Sequence, residues 1–529
     1  MSAQPQWGNR IAVEEVGGIA YRMYSQRPRR IGQLLGNADR WGARPYILQG
    51  DRVLTFGALR PTVEAKAREL AAAGVARGDR IFIIGWNSPE WAVNFWACVR
   101  AGAVPVLANA WWSDGELADA LGLLQPKLTL ADRRAAGKLP AARASGRWEA
   151  EIVAEAAADP APQVDDGNEE DPAIIIFTSG TAGRPKAVVL PHRSLLANLQ
   201  MLLHITRRLP HQVTEATGET LLHTGPLFHI GGGQGLIRSV MVGDTLVMPR
   251  GKFDPGEALQ LIERHRISRW AAVPTMVSRL LEHPELPGRD VSSLQSVTLG
   301  GAPVHAELLQ RIAEGLPSVQ ARIPTGYGLT ENGGQATAAS GADVAAAPGC
   351  CGRPLPCTEL KLVPLPGLPD AEVLIRAPTQ MHRYFGVKES PIDAEGWLHT
   401  GDLGKLDEGG QLWITGRCKD LIIRGGENIA PAAVERALVA IPGVSEAAVF
   451  GVPHPDLGEE VMAVVVVEGS LTIEALQEKL RGGLASFAVP SRWLLRTEQL
   501  PTNHTGKVDK VALRAELVGA SVTPTPAAA

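Results

Sequence analysis

The chain has 529 residues, 45% of them apolar and 20% charged, with a formal net charge of −4. That length predicts several domains or subdomains with cores large enough to need no covalent staple, and the composition excludes disorder over most of the chain. The nearly balanced charge argues against a dominant nucleic-acid or polybasic membrane role, and 5 Cys are too few for a disulfide framework. Met1 to Arg10 carry no apolar core of a signal peptide, and no apolar run reaches the roughly 18 residues of a membrane span, so a cytoplasmic protein is expected.

In chain order, Val63, Ala67, Leu70 and Ala71 recur at helical spacing, and Gly74 follows as a stop. Arg80–Gly85 is a short β-rich run, Pro89 opens a helix ending near Gly102, and Val104–Leu107 is the next strand. Ser113 with Glu116 forms a capping box before another helix, and Lys127–Leu130 is a further strand. Strands separated by helices imply βαβ units and a mostly parallel sheet. Residues 159–172 are acidic and Pro-rich and read as an exposed linker. A buried strand, Ala173–Phe177, comes next, with a helix after Pro191.

The α/β pattern runs to about 340, and a Gly/Pro-punctuated β-rich stretch covers 349–416. Cys350, Cys351 and Cys357 lie in that stretch and read as reduced side chains, since no paired C-x-x-C or nearby His completes a metal set. From about 420 a small α+β unit follows. Pro431 opens a helix with Val434, Leu438 and Ile441 on one face, Val461–Val467 is a strand and Ile473–Leu484 a helix. Residues 516–529 read as a disordered tail.

Four motifs carry chemistry. The first holds Thr178, Ser179, Gly180, Thr181, Gly183 and Lys186. Its glycines free the backbone to wrap an anion, its hydroxyls donate to phosphate oxygens, and Lys186 supplies charge. The spacing is not that of a Walker loop. The second holds Gly326, Tyr327, Gly328, Thr330 and Glu331: a ring face for a purine, a hydroxyl for a phosphate and a carboxylate for Mg²⁺. The third pairs Asp402 with the stretch from Arg417 to Asp420, and an Asp can accept both hydroxyls of a ribose. The fourth ends on Lys507, by itself an ordinary solvated charge.

Together and in this order, the four motifs resemble the adenylate-forming superfamily of acyl-CoA synthetases, stand-alone adenylation domains and beetle luciferases. The resemblance runs from roughly residue 30 to 515 and is most like a fatty-acid or aryl-carboxylate CoA ligase. Two positions depart from the family pattern, Ala182 for a second Thr and Ala187 for a Gly. The resemblance implies a large N-terminal domain (1–416) of mostly parallel α/β layers plus the β-rich subdomain, a hinge at 417–419 and a small mobile α+β domain at 420–515.

It also implies a two-step reaction dependent on ATP and Mg²⁺, in which a carboxylate becomes an acyl-adenylate and a thiol, CoA, then displaces AMP. By the match, Lys507 bridges the carboxylate and the nucleotide, Glu331 holds Mg²⁺, Thr330 binds the α-phosphate, and the 178–186 loop takes the β- and γ-phosphates. Tyr327 with Gly300, Gly301, Ala302 and Pro303 flanks the adenosine and acyl groove, and Asp402 with Arg417 holds the ribose. Lys419 is the pivot that swings Gly425 and Gly426 into a thiol tunnel. Phe228, His229 and Gly231 match the gate and wall of the acyl pocket. His229 reads as a steric gate, because a carboxylate is already ionised at neutral pH.

The expected partners are a small carboxylic acid, ATP and CoA, without nucleic acid or an integral membrane segment, and a homodimer is allowed. Carrier-protein loading, a luciferase-like oxygenase and a non-catalytic nucleotide sensor are the alternatives. Intact Lys507, Glu331 and Asp402 argue against the last.

Overall fold

The computed structural model describes residues 7–139, 145–150, 152, 167–178, 185–214, 217–302, 304, 306–319, 323–366, 368, 370–469, 471–481, 483–503 and 507–519. The fold is mixed α/β, with a large N-terminal domain and a C-terminal domain.

Two sheets form the body of the large domain. One runs in the order Arg383–Tyr384, Lys186–Pro191, Pro172–Thr178, Val104–Ala108, Arg80–Ile84, Leu128–Ala131, Ser145–Gly146. Its last five strands are parallel, as the βαβ reading required. Val104–Ala108 is buried at every position, the mark of a parallel strand covered on both faces. The helix Pro89–Arg100 covers one face. Ser88 caps it by accepting from the Trp91 amide, and Pro89 occupies a position where no amide is needed. Trp91, Phe95 and Trp96 go fully into the core beneath it. The predicted capping box is present, with Ser113 accepting from the Glu116 amide ahead of the helix Asp114–Leu124.

The second sheet runs Ser296–Leu299, Arg269–Ala272, Thr220–His223, Thr245–Val247, Pro45–Gln49, Arg52–Thr55. All of its neighbours are parallel except the last pair. Residues 359–417 form a four-stranded antiparallel sheet, as the β-rich texture predicted. A further sheet takes strands from Ile422 to Arg496 and packs against the helices Pro431–Val439 and Ile473–Arg481 around Val434, Leu438, Val465 and Leu476.

The helix expected after Pro191 is present as His192–Ile205, with one difference: Lys186–Pro191 ahead of it is a strand, antiparallel to Pro172–Thr178. Thr178 and Lys186 are therefore opposite each other at the mouth of a hairpin, and the loop between them does not lead directly into a helix. The β-branched run in this segment and its burial between two strands explain the difference.

Of the linker expected over 159–172, residues 159–166 lie outside the described residues, and 169–171 are tied to arginines rather than solvated. Glu169 is held by Arg27 and Arg29, Glu170 by Arg193, and Asp171 by Arg30 and Arg77. The cysteines are free, with Cys350 and Cys357 buried, as expected.

Candidate active site

The turn at Tyr327 and the hairpin at Asp402 meet. Asp402 pairs across the sheet with Arg417, which places the two side chains together, and Arg417 Nε lies 3.0 Å from Asp402 Oδ1. The other carboxylate oxygen accepts from the Tyr327 hydroxyl at 2.6 Å. The Asp402 amide donates to Thr400 Oγ1, which fixes the carboxylate's backbone, and Asp402 is 7% exposed. Burial, followed by the Asp402 charge and hydrogen bond, raises the Tyr327 phenol far above its ordinary pKa, so it stays a donor.

Gly326 and Gly328 have a structural cause. A Cβ at Gly326 would lie 2.4 Å from the Thr337 carbonyl oxygen, and one at Gly328 would lie 2.3 Å from that of Gly334. Both glycines allow the neighbouring backbone to approach, which shapes the turn that presents Tyr327, Thr330 and Glu331.

Thr330 and Glu331 begin a short 3₁₀ turn, Thr330–Asn332. Glu331 Oε1 accepts from the Tyr384 hydroxyl at 2.9 Å. The Lys186 ammonium lies 4.6 Å from the centre of the same tyrosine ring. Tyr384 thus ties the phosphate-loop lysine to the carboxylate of the second motif. No local pattern marks Tyr384 in the sequence; it arrives by strand pairing opposite Val188. Thr178 is half-buried at its strand end. Ser179, Gly180, Thr181, Gly183 and Pro303 lie outside the described residues.

Lys507 comes from the C-terminal domain and sits beside Gly301, where its Cε is 3.5 Å from the position a Gly301 Cβ would take. Its amide donates to Asn503 Oδ1 and its carbonyl accepts from the Asn503 amide, so its backbone is tied to Asn503. Burial lowers the pKa of its ammonium, Arg417 pushes the same way, and Asp402 opposes both. Lys507 is therefore within electrostatic reach of the Asp402–Arg417 pair. The same segment is held to the large domain by Arg279, whose guanidinium donates to Gln499 and Thr502, and by Gln499 donating to Glu282.

Gly301 has φ +79°, while Gly300 and Gly231 border open space. Ala302 is half-buried beside them. Phe228 is buried, and His229 occupies the N-cap position of the helix Ile230–Val242, its ring 4.8 Å from that of Phe228. Gly425 and Gly426 are not brought to this centre. They form a turn at φ +59° and +89°, where the Gly425 amide donates to the Leu457 carbonyl of its own domain. Lys419 is exposed in the 3₁₀ turn Cys418–Asp420, between the two sheets.

Among the described residues no three His, Cys, Asp or Glu side chains group to hold a metal, and no helix is long and apolar enough to cross a membrane. Magnesium needs only one or two carboxylates when substrate phosphates complete its shell, and Glu331, oriented by Tyr384, fits that requirement.

Residues 35–385 match the AMP-binding enzyme family, and residues 433–507 match the AMP-binding enzyme C-terminal domain. The chain is 35% identical over 481 residues to a feruloyl-CoA synthase of Amycolatopsis sp, covering 88% of this chain and 95% of the relative. It is 36% identical over 504 residues to a (methyl-dioxo-octahydroindenyl)propanoyl:CoA ligase of Mycobacterium tuberculosis, with the same coverage of 88% and 95%. The crystal structure of ATP-bound MatB from Rhodopseudomonas palustris superposes with a TM-score of 0.79 at 28% identity, covering 92% of this chain and 98% of that one.

Proposed function

The chain belongs to the AMP-binding enzyme family, and from that premise we propose how its residues divide the reaction. The protein is an AMP-forming acyl-CoA synthetase: it activates a carboxylic acid with ATP to an acyl-adenylate and passes the acyl group to CoA. A carboxylate is a weak nucleophile approaching a polyanion, so the first step needs fixed positive charge on both partners.

Lys507 is the group assigned to that task. The observation that carries the reading is its position beside Gly301, within reach of Asp402 and Arg417. There an ammonium would touch the attacking carboxylate and the nucleotide at once. Asp402 takes the ribose hydroxyls, oriented by Arg417 and Tyr327. Thr330 takes the α-phosphate, and Lys186 stands with the loop beginning at Thr178 for the outer phosphates. Glu331 would hold Mg²⁺, which would supply neutralising charge to the phosphates. The acid is an aryl-alkyl or fatty acid, and the acyl groups in the names of the two relatives, one aromatic and one alicyclic, favour an acid that carries a ring.

The second step requires that Lys507 leave, since one cavity cannot present both the ammonium and a thiol channel. Gly425 and Gly426 would enter in its place, with the domain turning about Lys419.

Lys507→Ala is the decisive test. It should abolish acid-dependent pyrophosphate release and spare thioester formation from preformed acyl-adenylate and CoA. Equal loss of both half-reactions overturns the assignment.

A further inference from the structure

One face of the second sheet is left open beside Gly301. On the strand Arg269–Ala272 the buried positions Trp270 and Ala272 join the hydrophobic cluster on one side, while Ala271, facing the other way, is exposed although its strand has a neighbour on both edges. His223 and Thr298 are in register with Ala271, so all three share that open face. The helix Ile230–Val242 lies across it with glycine at the contact: a Cβ at Gly235 would come 3.3 Å from the His223 ring. Gly231 and Gly300 border open space toward the Gly301 end. These residues wall a groove at the carboxyl ends of parallel strands, where α/β folds bind ligands.

The far end of the groove is polar. His223 Nε2 is buried and has no hydrogen-bond partner among the described residues, and the same holds for Arg238 Nη2, one helical turn beyond Gly235. Arg238 is otherwise held by Asp244 at 2.6 Å, and Glu219 bridges Arg208 and Arg269 beside it. Burial lowers the His223 pKa to about 4, so the imidazole is neutral. A buried polar atom without a partner destabilises the site, a deficit that a ligand of matching chemistry removes. Two strand spacings set His223 about 10 Å from Thr298, and Gly301 lies three residues further along the chain. The His223 ring at one end and the Lys507 side chain beside Gly301 at the other shorten the span to that of a ring on a short arm.

We propose that the acyl groove takes a carboxylic acid bearing a hydrogen-bond-accepting oxygen on a ring at its far end, and that His223, with its proton on Nε2, and Arg238 read that oxygen. The proposal rests on the acyl-CoA synthetase reading and adds the substrate class. A plain alkyl chain would leave both donors unpaired against methylene groups. Either a ring ketone or a phenol supplies the oxygen.

The test compares kcat/KM for acid-dependent pyrophosphate release with two matched pairs: para-hydroxyphenylpropanoate against phenylpropanoate, and oxocyclohexylpropanoate against cyclohexylpropanoate. The wild-type enzyme should prefer the oxygenated member of at least one pair by about tenfold or more, the worth of one paired buried donor. His223→Phe, which keeps a ring in place, should erase most of that preference, chiefly through a higher KM for the oxygenated acid. Ala271→Leu, which fills the groove, should lower both ring-bearing pairs relative to propanoate by about tenfold and tests the location without touching His223. Turnover of simple alkyl acids with no preference in either pair overturns this proposal and leaves the synthetase reading standing. So does a preference that survives His223→Phe, or an Ala271→Leu profile like that of wild type. Failure to release pyrophosphate with any acid overturns the synthetase reading itself, and this proposal with it.

Discussion

Tyr384 shows how a single side chain organises residues far apart in the chain. Its hydroxyl is held on Glu331 and its ring face lies under the Lys186 ammonium, so three chain segments converge on one phenol. Burial, then the Glu331 charge, raises its pKa, and it donates throughout the working pH range. Tyr384→Phe keeps the ring under Lys186 but removes the donor. It should raise the KM for Mg-ATP in pyrophosphate release several-fold and leave the thioester half-reaction from preformed adenylate near the wild-type rate. An unchanged KM in steady-state assays would show that the hydroxyl does not position Glu331. Asp402 makes the complementary point. Its two oxygens are already committed to Tyr327 and Arg417, so it is oriented before any ribose arrives.

At the level of elements, the acidic turn at 169–171 pins the start of the helix His192–Ile205 to the strand carrying Tyr384. Glu170 accepts from Arg193 at 2.6 Å and lies 3.0 Å from His382 Nε2, and the Arg193 guanidinium also reaches the Pro378 carbonyl. Burial alone would raise the Glu170 pKa, but His382 and Arg193 outweigh it and bring the carboxyl down to about 2 from an ordinary 4.5. A depressed carboxylate stabilises the fold above its unfolded value. That contribution is complete above about pH 4.5 and fades as pH falls toward about 2. Glu170→Gln should cost roughly 1–2 kcal/mol at neutral pH, a figure discounted because the carboxylate remains partly solvated. Urea unfolding across this range should show the gap between wild type and variant closing as acid is added. A gap that does not change with pH would count against the pairing as its source.

Among the described residues the C-terminal domain meets the large one through Gln499, Thr502 and Lys507, which reach Arg279, Glu282 and Gly301, and through Arg436, which donates to the Thr415 carbonyl near the hinge. These are a few polar contacts rather than a shared core: the small domain keeps its own cluster around Val434, Val465 and Leu476. An interface of that kind can open without unfolding either side. Lys419 lies exposed in the turn between the two sheets. Lys419→Pro would restrict φ there and should hold the arrangement seen here. Acyl-adenylate should then accumulate on the enzyme in a quenched single turnover, while thioester formation drops by at least about tenfold. Normal thioester turnover would remove Lys419 from the hinge role.

Local order in the sequence determined the parallel α/β layers, the β-rich stretch near 349–416 and the final α+β unit. Apolar periodicity, the helix-opening Pro89 and the Ser113 cap act between near neighbours and can be read one segment at a time. The four motifs were legible only together: Lys507 by itself reads as an ordinary solvated charge, and the resemblance came from all four standing in order along the chain. Only the tertiary structure turned Lys186–Pro191 into a strand, drew the acids at 169–171 onto arginines, and brought Tyr384 beneath Lys186. It alone set His223 on one open face with Ala271 and left Arg238 Nη2 buried on the helix across from it. Each of these depends on pairing across a sheet or on burial against a distant segment, and such energies belong to contacts between residues that the linear order keeps far apart.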